Sequence, residues 1–502
     1  MNKLKIGWAE EKFEFTKPVS LDGQFAERIS EYTEKPLCVT AMAVESKGEQ
    51  MVLCSVDIIT VTCVLNDAVR DLLKDNKLGL DPMKVVISAI HTHTGPGYTG
   101  RGINAATRGR KISTPKAMFL DFLPPDMKYV ESINISDNND IMSRDDVLKE
   151  LTEKIAKAVL TAWENRKEGG YANAFGRAPV GMCRRAKYTD GSAKMWGDTN
   201  TAVFDSIEGG SDNGIELLYI FDANNKLTGI VANLACPAQC IQHRKVISPD
   251  FWGEAKMLLR KEFGEDLYFL TLCSAAGDQC PVDLVRWVEP ESDVNDPNIT
   301  RNNPLYRKAD PSMFDLKGMK KVGRRVANEI IDVYNEENLE IKKEAEFVHT
   351  VESAHLPLRR ATLQDEANAK KAINDYIRNK SGDADYNDVA NQLVNLGILR
   401  RMELQEEVET IDAELHIIRL GNIAFASNPF ELFLDYGNQI RARSKAEQTF
   451  LIQLACDSMG YLPTKKAEEG GHYSAFISSG YVGHTGGEQL VRETLKGINK
   501  LF

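Results

Sequence analysis

Two histidines one residue apart, His91 and His93, stand where a run of apolar, mostly β-branched residues gives way to glycine and proline. Val85-Val86-Ile87-Ser88-Ala89-Ile90 reads as a buried strand, and His91-Thr92-His93-Thr94-Gly95-Pro96-Gly97 follows it directly. If extended geometry continues, residues two apart share a face, so both imidazoles are presented together at the strand's end. Histidine is the commonest metal ligand and titrates nearest neutrality, so the pair suits a ligand together with a base or a second ligand. The alternative is a pair of hydrogen-bonded loop histidines without a metal.

Other residues capable of chemistry lie further along. Cys236 precedes Pro237 at the end of an apolar run, and Cys280 sits in Gly277-Asp278-Gln279-Cys280-Pro281. The chain has nine cysteines at irregular spacings, which predicts reduced core thiols for most of them. A thiolate binds zinc well, and a thiol whose pKa is lowered attacks acyl groups. Asn428-Pro429-Phe430-Glu431 has the pattern of a helix start, with a cap residue, proline at the first helical position and glutamate in the first turn. Tyr461 and Tyr473 fall in a glycine-containing loop segment, and Arg184 and Arg185 are adjacent.

The elements that must position these residues alternate along the chain. Strand patterns cover 37–44, 51–58, 84–90, 214–221, 227–235, 267–272, 347–358, 411–420, 423–426 and 450–455. Helical patterns cover 65–74, 145–165, 249–263, 316–335, 364–378 and 432–444. This alternation predicts an α/β protein with a mixed β-sheet core and flanking helices. Segments 101–139, 290–311 and 365–405 depart from it, the last resembling a helical hairpin, and read as insertions into one domain spanning 1–502. No internal repeat is visible.

The segment ISAIHTHTGPG resembles the HTHSGPGG segment of the neutral/alkaline ceramidase family, whose first histidine binds zinc and whose second lies beside the metal and contacts substrate. Similar segments follow in the family's order over nearly the whole chain. VANLACPAQCIQH places Cys236 at the family's second zinc-histidine position, with His243 as the alternative ligand. CSAAGDQCPVDL puts Cys280 where the family has a serine proposed as nucleophile, and FASNPFELF puts Glu431 at the zinc-binding glutamate. DSMGYLPTKKAEEGGHYSA resembles a loop whose first tyrosine ligates zinc and whose second contacts substrate, positions taken by Tyr461 and Tyr473. APVGMCRRAKYTDG supplies Arg184, or its neighbour Arg185, as the group that contacts substrate.

The resemblance therefore implies one Zn²⁺ per chain held by His91, Cys236, Glu431 and Tyr461, with His93, Cys280, Tyr473 and Arg184 in the catalytic machinery. It implies the fold of the family's N-terminal catalytic domain and a zinc-dependent hydrolase of an N-acyl amide, a lipid such as ceramide or a smaller acyl-amide. Cysteine in place of histidine adds negative charge and reduces the Lewis acidity of the metal. The two cysteine replacements motivate two rival readings: a Cys280-dependent acyl hydrolase or transferase, and a non-catalytic binding protein on the same scaffold. The family's C-terminal β-sandwich domain is expected to be absent.

Net charge is −11, with basic residues scattered rather than gathered in a stripe, which argues against a nucleic-acid partner. No window approaches the ~18 apolar residues of a transmembrane segment, and the N-terminal residues do not form a signal-peptide core. A cytoplasmic enzyme with a small-molecule substrate is the expectation.

Overall fold

The computed structural model describes residues 2–24, 27–100, 102–131, 139–286, 314–336 and 338–502. Apart from short strands, short helices and turns, the chain passes three times through the same succession: three strands, a helix, a strand and a helix. The first pass is β1 (Asn2–Lys12), β2 (Cys38–Ser46), β3 (Glu49–Val56), α1 (Cys63–Leu73), β4 (Val85–Ala89) and α2 (Arg144–Glu164). The second is β5 (Lys167–Arg177), β6 (Gly214–Asp222), β7 (Leu227–Leu234), α3 (Phe251–Phe263), β8 (Tyr268–Cys273) and α4 (Asp315–Glu336). The third begins with β9 (Phe347–Pro357), is interrupted by α5 (Leu363–Asn379) and α6 (Leu393–Glu407), and resumes with β10 (Thr410–Leu420) and β11 (Ile423–Ser427). It closes with α7 (Leu434–Arg443), β12 (Gln448–Ile452) and α8 (His484–Leu501).

In each pass the first three strands pair antiparallel in order, and the fourth runs parallel to the third. The parallel pair needs a crossover, which the intervening helix supplies. Antiparallel pairing of β1 with β5 fuses the first two passes into a nine-stranded mixed sheet, the ninth strand being the short Glu344–Ala345. The third pass forms a separate four-stranded sheet. The α/β class with a mixed sheet is thus the architecture observed.

Strand alternation divides the apolar residues between two faces. In β2, Val39, Ala41 and Ala43 pack with Val147, Leu151 and Ile155 of α2, whereas Met42 and Val44 join Phe347, Ile418, Phe425 and Phe450 of the second sheet. The two sheets therefore meet face to face. Helices α1 to α4 cover the outer face of the first sheet, and α7 and α8 cover that of the second. Helix α4 fits its place because Met319, Val322, Val326, Ile330 and Val333 recur at helical spacing and are buried.

The predicted insertions 101–139 and 365–405 are packed on one another: Met118 and Phe119 share an apolar cluster with Ile373, Ile377, Leu396 and Leu399. The predicted insertion 290–311 lies outside the described residues.

Candidate active site

The loops that leave the parallel strands at their C-terminal ends are tied together. Ala89 N–H donates to the Leu454 carbonyl, His93 N–H to Ala238, Gly277 N–H to Leu432 and Gln453 N–H to Cys273. Such strand ends favour sites because a rigid sheet fixes the roots of loops that are free to vary.

A cavity of about 110 Å³ opens among these loops. His91, His93, Arg184, Glu431, Tyr461 and Tyr473 line it, together with Gly23, Gln24, Ile59, Met195, Trp196 and Gln242.

The histidines do not reach it by continuing the strand. β4 stops at Ala89 and His91 takes a φ of 62°, the left-handed region that a non-glycine residue rarely adopts. The turn is held by Thr92 and Thr94, whose hydroxyls both donate to the Ser248 carbonyl at 2.8 Å. The two rings consequently meet edge to face with centroids 5.0 Å apart. Gly23, at φ 107°, passes so close that a Cβ there would lie 2.8 Å from His93.

His91 Nδ1 lies 2.6 Å from the Ile59 carbonyl and therefore carries the hydrogen. Its Nε2, left with a lone pair, faces Glu431 Oε2 at 3.3 Å. Two electron-pair donors held this close call for a cation or a proton between them. Burial pushes the Glu431 carboxyl up, but His91, Arg184 and Tyr461 outweigh it and hold it below its ordinary value.

The sequence expectation for Glu431, a helix's first turn, needs correction. Asn428 Oδ1 accepts from Phe430 N–H in a local turn, Glu431–Leu432 is a short strand, and α7 begins only at Leu434. That strand pairs in parallel with Tyr461–Leu462, and Glu431 is the register partner of Tyr461. Pairing therefore sets the carboxylate and the phenol side by side. Burial pushes the Tyr461 phenol well up, with Glu431 and Tyr473 adding to the effect. Tyr473 meets Tyr461 edge to face at 5.5 Å.

Arg184 is pinned by its backbone: its N–H donates to the Asp278 carbonyl at 2.9 Å and its carbonyl accepts from Trp196 N–H at 2.7 Å. The guanidinium donates to Tyr461 Oη at 3.3 Å, Gln239 Oε1 at 3.2 Å and the Gly277 carbonyl at 3.0 Å. Burial opposes its charge, but Tyr461, Cys280 and Glu431 more than compensate. Arg185 points elsewhere. It pairs with Glu208 and donates to the carbonyls of Ala467, Gly471 and Tyr473, so it braces the loop that carries Tyr473.

His93 is held neutral. Burial, then the neighbouring His91, Arg184 and Arg28, depress its pKa well below the usual histidine value. Neither of its buried ring nitrogens has a hydrogen-bond partner, and the same is true of Arg184 Nε. Unpartnered buried polar atoms around one small space are the mark of a site that receives a ligand.

The other candidates lie behind the wall or beyond it. Cys236 is fully buried with Sγ against the carbonyls of Val180 and Pro237, at 3.4 and 3.6 Å, and does not line the cavity. Cys280 is equally buried, its thiol donating to the Val282 carbonyl at 3.2 Å. Burial pushes that thiol up to about 12 despite Arg184, so it carries no thiolate at neutral pH. His243 stacks on Phe314 and faces Asp315 Oδ1 at 3.2 Å. Among the described residues, a group of His, Cys, Asp and Glu with donor atoms all within 4.8 Å of one another is Glu414, His416 and Cys456, outside this cavity.

No protein-family model matches the sequence, and no curated protein matches it. Among solved structures, neutral ceramidase from Pseudomonas aeruginosa superposes on 100% of this chain and 74% of its own, with a TM-score of 0.65 at 13% identity. The fold is that of neutral ceramidase. A ceramidase complexed with C2 superposes on 100% of this chain and 75% of its own, with a TM-score of 0.63 at 13% identity. The fold that the ordered motifs of the sequence imply is thus the fold that the superpositions show.

Several wall residues have no counterpart in the sequence reading. Ile59 acts through its carbonyl, which any residue would supply. Gln242 and Trp196 reach the cavity from loops whose course depends on tertiary packing. Asp278, read as part of a turn, accepts Leu434 N–H at 2.9 Å and so ties the Arg184 side of the site to the start of α7.

Proposed function

We propose that this chain hydrolyses N-acyl amide bonds at the cavity described above, with a zinc ion held by His91, Glu431 and Tyr461. The observation that carries the reading is His91, whose Nδ1 hydrogen is committed to Ile59 and whose Nε2 lone pair is aimed at the Glu431 carboxylate. Imidazole nitrogen, carboxylate oxygen and phenol oxygen on one wall fit zinc chemically. Cys236 joins this set only by giving up its present contacts with two carbonyls. When bound, zinc supplies a Lewis acid and lowers the pKa of a neighbouring water towards ~7.

The side chains divide the remaining work. His93, neutral and without ring partners, takes a proton from the attacking water and returns it to the departing amine nitrogen. Arg184 keeps its charge in a buried place and stabilises the negative charge that develops on the carbonyl oxygen. Tyr473, edge to face with Tyr461, orients the carbonyl. The cavity accommodates an amide and its immediate substituents, so any long acyl or sphingoid chain extends beyond the described walls.

A panel of N-acyl amides graded from water-soluble anilides to ceramide tests this. Turnover is expected to vanish on chelation, return with zinc and fall about 10³-fold or more in His91→Ala. Turnover indifferent to both chelation and His91 would sink the proposal. Failure of the whole panel would favour the non-catalytic binding reading.

A further inference from the structure

Away from the cavity, the antiparallel β9–β10 pair buries another histidine, His416, beside His349, which contacts β3 of the first sheet. Its neighbours decide where its hydrogens lie. His349 Nδ1 is 2.9 Å from the Gln50 carbonyl, which can only accept, so that nitrogen carries a hydrogen. The other ring nitrogen of His349 is 2.9 Å from His416 Nδ1. Both rings are at most 2% exposed, and burial disfavours a charged ring. A neutral His349 accepts here, so His416 Nδ1 donates.

His416 Nε2 is then the atom left to hold a proton or, in its place, a metal ion. It faces two more electron-pair donors, Glu414 Oε1 at 2.9 Å and Cys456 Sγ at 3.6 Å. Glu414 and His416 alternate on β10 and share a face. Cys456 is brought up by strained backbone, with φ 61° and its N–H tied to the Ile87 carbonyl at 2.9 Å. Arg70 clamps both oxygens of Glu414, at 2.9 and 2.7 Å. A carboxylate oxygen has two lone pairs, so Oε1 keeps one for a second partner.

We propose that Glu414, His416 and Cys456 form a second zinc site, separate from the cavity, which fastens β10 to the loop after β12. Nitrogen, sulfur and carboxylate oxygen are zinc's donor set rather than that of magnesium or calcium. Ligands ~2.0–2.3 Å from a tetrahedral ion stand ~3.3–3.6 Å apart. The nitrogen–sulfur separation already has that value, and nitrogen and oxygen open by a few tenths of an ångström. On binding, the Cys456 S–H bond breaks, its proton and the one held between His416 Nε2 and Glu414 Oε1 leave to solvent, and the thiolate, imidazole and carboxylate lone pairs form bonds to Zn²⁺ without redox change. Arg70, 3.9 Å from the sulfur, offsets the thiolate charge. Glu414, with 28% of its side chain exposed, is where a water completes the coordination. His349 is the positioning residue, because it fixes the tautomer of His416.

The test titrates the metal-free whole protein with Co²⁺ and reads thiolate-to-cobalt charge-transfer absorption. The wild type, His91→Ala and Cys236→Ser are each expected to show the band, and Cys456→Ser to lack it. His349→Phe is expected to bind Co²⁺ about 10- to 100-fold more weakly. A wild type without the band, a band that disappears in Cys236→Ser, or a Cys456→Ser protein that keeps it overturns the proposal. If Cys456→Ser fails to fold, an unchanged affinity in His349→Phe overturns it equally.

Discussion

His91 and His416 are arranged alike and surrounded differently. Each ring has Nδ1 committed to a buried partner, the Ile59 carbonyl for one and His349 for the other, and each turns Nε2 to a glutamate oxygen. Each glutamate is held below its ordinary value, against burial, by a histidine and an arginine. The surroundings separate them. Around His91 the cavity leaves room for a substrate, and His93 and Arg184 keep unpartnered nitrogens. Around His416 the groups are clamped to the protein: Arg70 binds both oxygens of Glu414, and the ring's partner His349 is tied to the Gln50 carbonyl of the first sheet. On the two readings proposed above, the same electronic arrangement is reactive where a cavity adjoins it and structural where its neighbours are clamped.

The comparison is broken most easily by exchanging the consequences of the two histidines. His91→Ala is expected to lower kcat/KM about 10³-fold or more, a loss of ~4 kcal/mol in transition-state stabilisation. His416→Ala is expected to leave kcat/KM within about threefold while lowering stability by ~2 kcal/mol. Steady-state kinetics and urea unfolding on both variants check this; an inactive but stable His416→Ala would erase the distinction.

The arginines sharpen it next. Arg70→Leu leaves Glu414 a partly buried charge without its bidentate partner, so a stability loss of ~3 kcal/mol is expected with kcat unchanged. Arg184→Leu removes the cation nearest Tyr461 and is expected to lower kcat about 10²- to 10³-fold. Guanidine or urea midpoints and kcat, measured on the same two preparations, decide the matter.

How far the sequence discloses this depends on what kind of atom does the work. β6 and β7 are rich in β-branched and aromatic residues and were legible almost to their ends. β5 was not, because KEGGYANAFGR offers three glycines and two alanines where a strand pattern needs bulk. Those glycines answer to packing: a Cβ at Gly169 would lie 2.6 Å from the Phe221 carbonyl. The threefold succession of elements was invisible because it is kept by strand order and pairing, with an inserted helical pair in the third pass. His91, Glu431 and Tyr461 could be located by motif resemblance, although the helix start expected at Glu431 proved to be a strand pair. The Glu414-x-His416 alternation has the same spacing as His91-x-His93. It carried no signal, since Cys456 is distant in sequence and the Gln50 carbonyl, like that of Ile59, has no side-chain signature.

The smallest expected effect separates electrostatics from metal at the second site. In metal-free protein, Glu414 has a folded pKa pulled below its unfolded value: burial raises it, but His416 and Arg70 lower it more. A depressed carboxylate contributes stability that is fully present above its unfolded pKa, about 4.3, and is lost as pH falls through the folded value. Glu414→Gln should therefore cost ~1–2 kcal/mol at pH 7, the scale of hydrogen bonds to a charged group with some solvent screening. The gap to wild type should narrow steadily as pH is lowered below about 4. Urea unfolding of chelator-treated wild type and Glu414→Gln, at pH 7 and again at the lowest pH where both stay folded, measures it. A gap that is constant with pH would mean that packing rather than charge holds Glu414 in place. In that case the three lone pairs around His416 would be brought together by the strands alone, with Arg70 contributing shape rather than compensation.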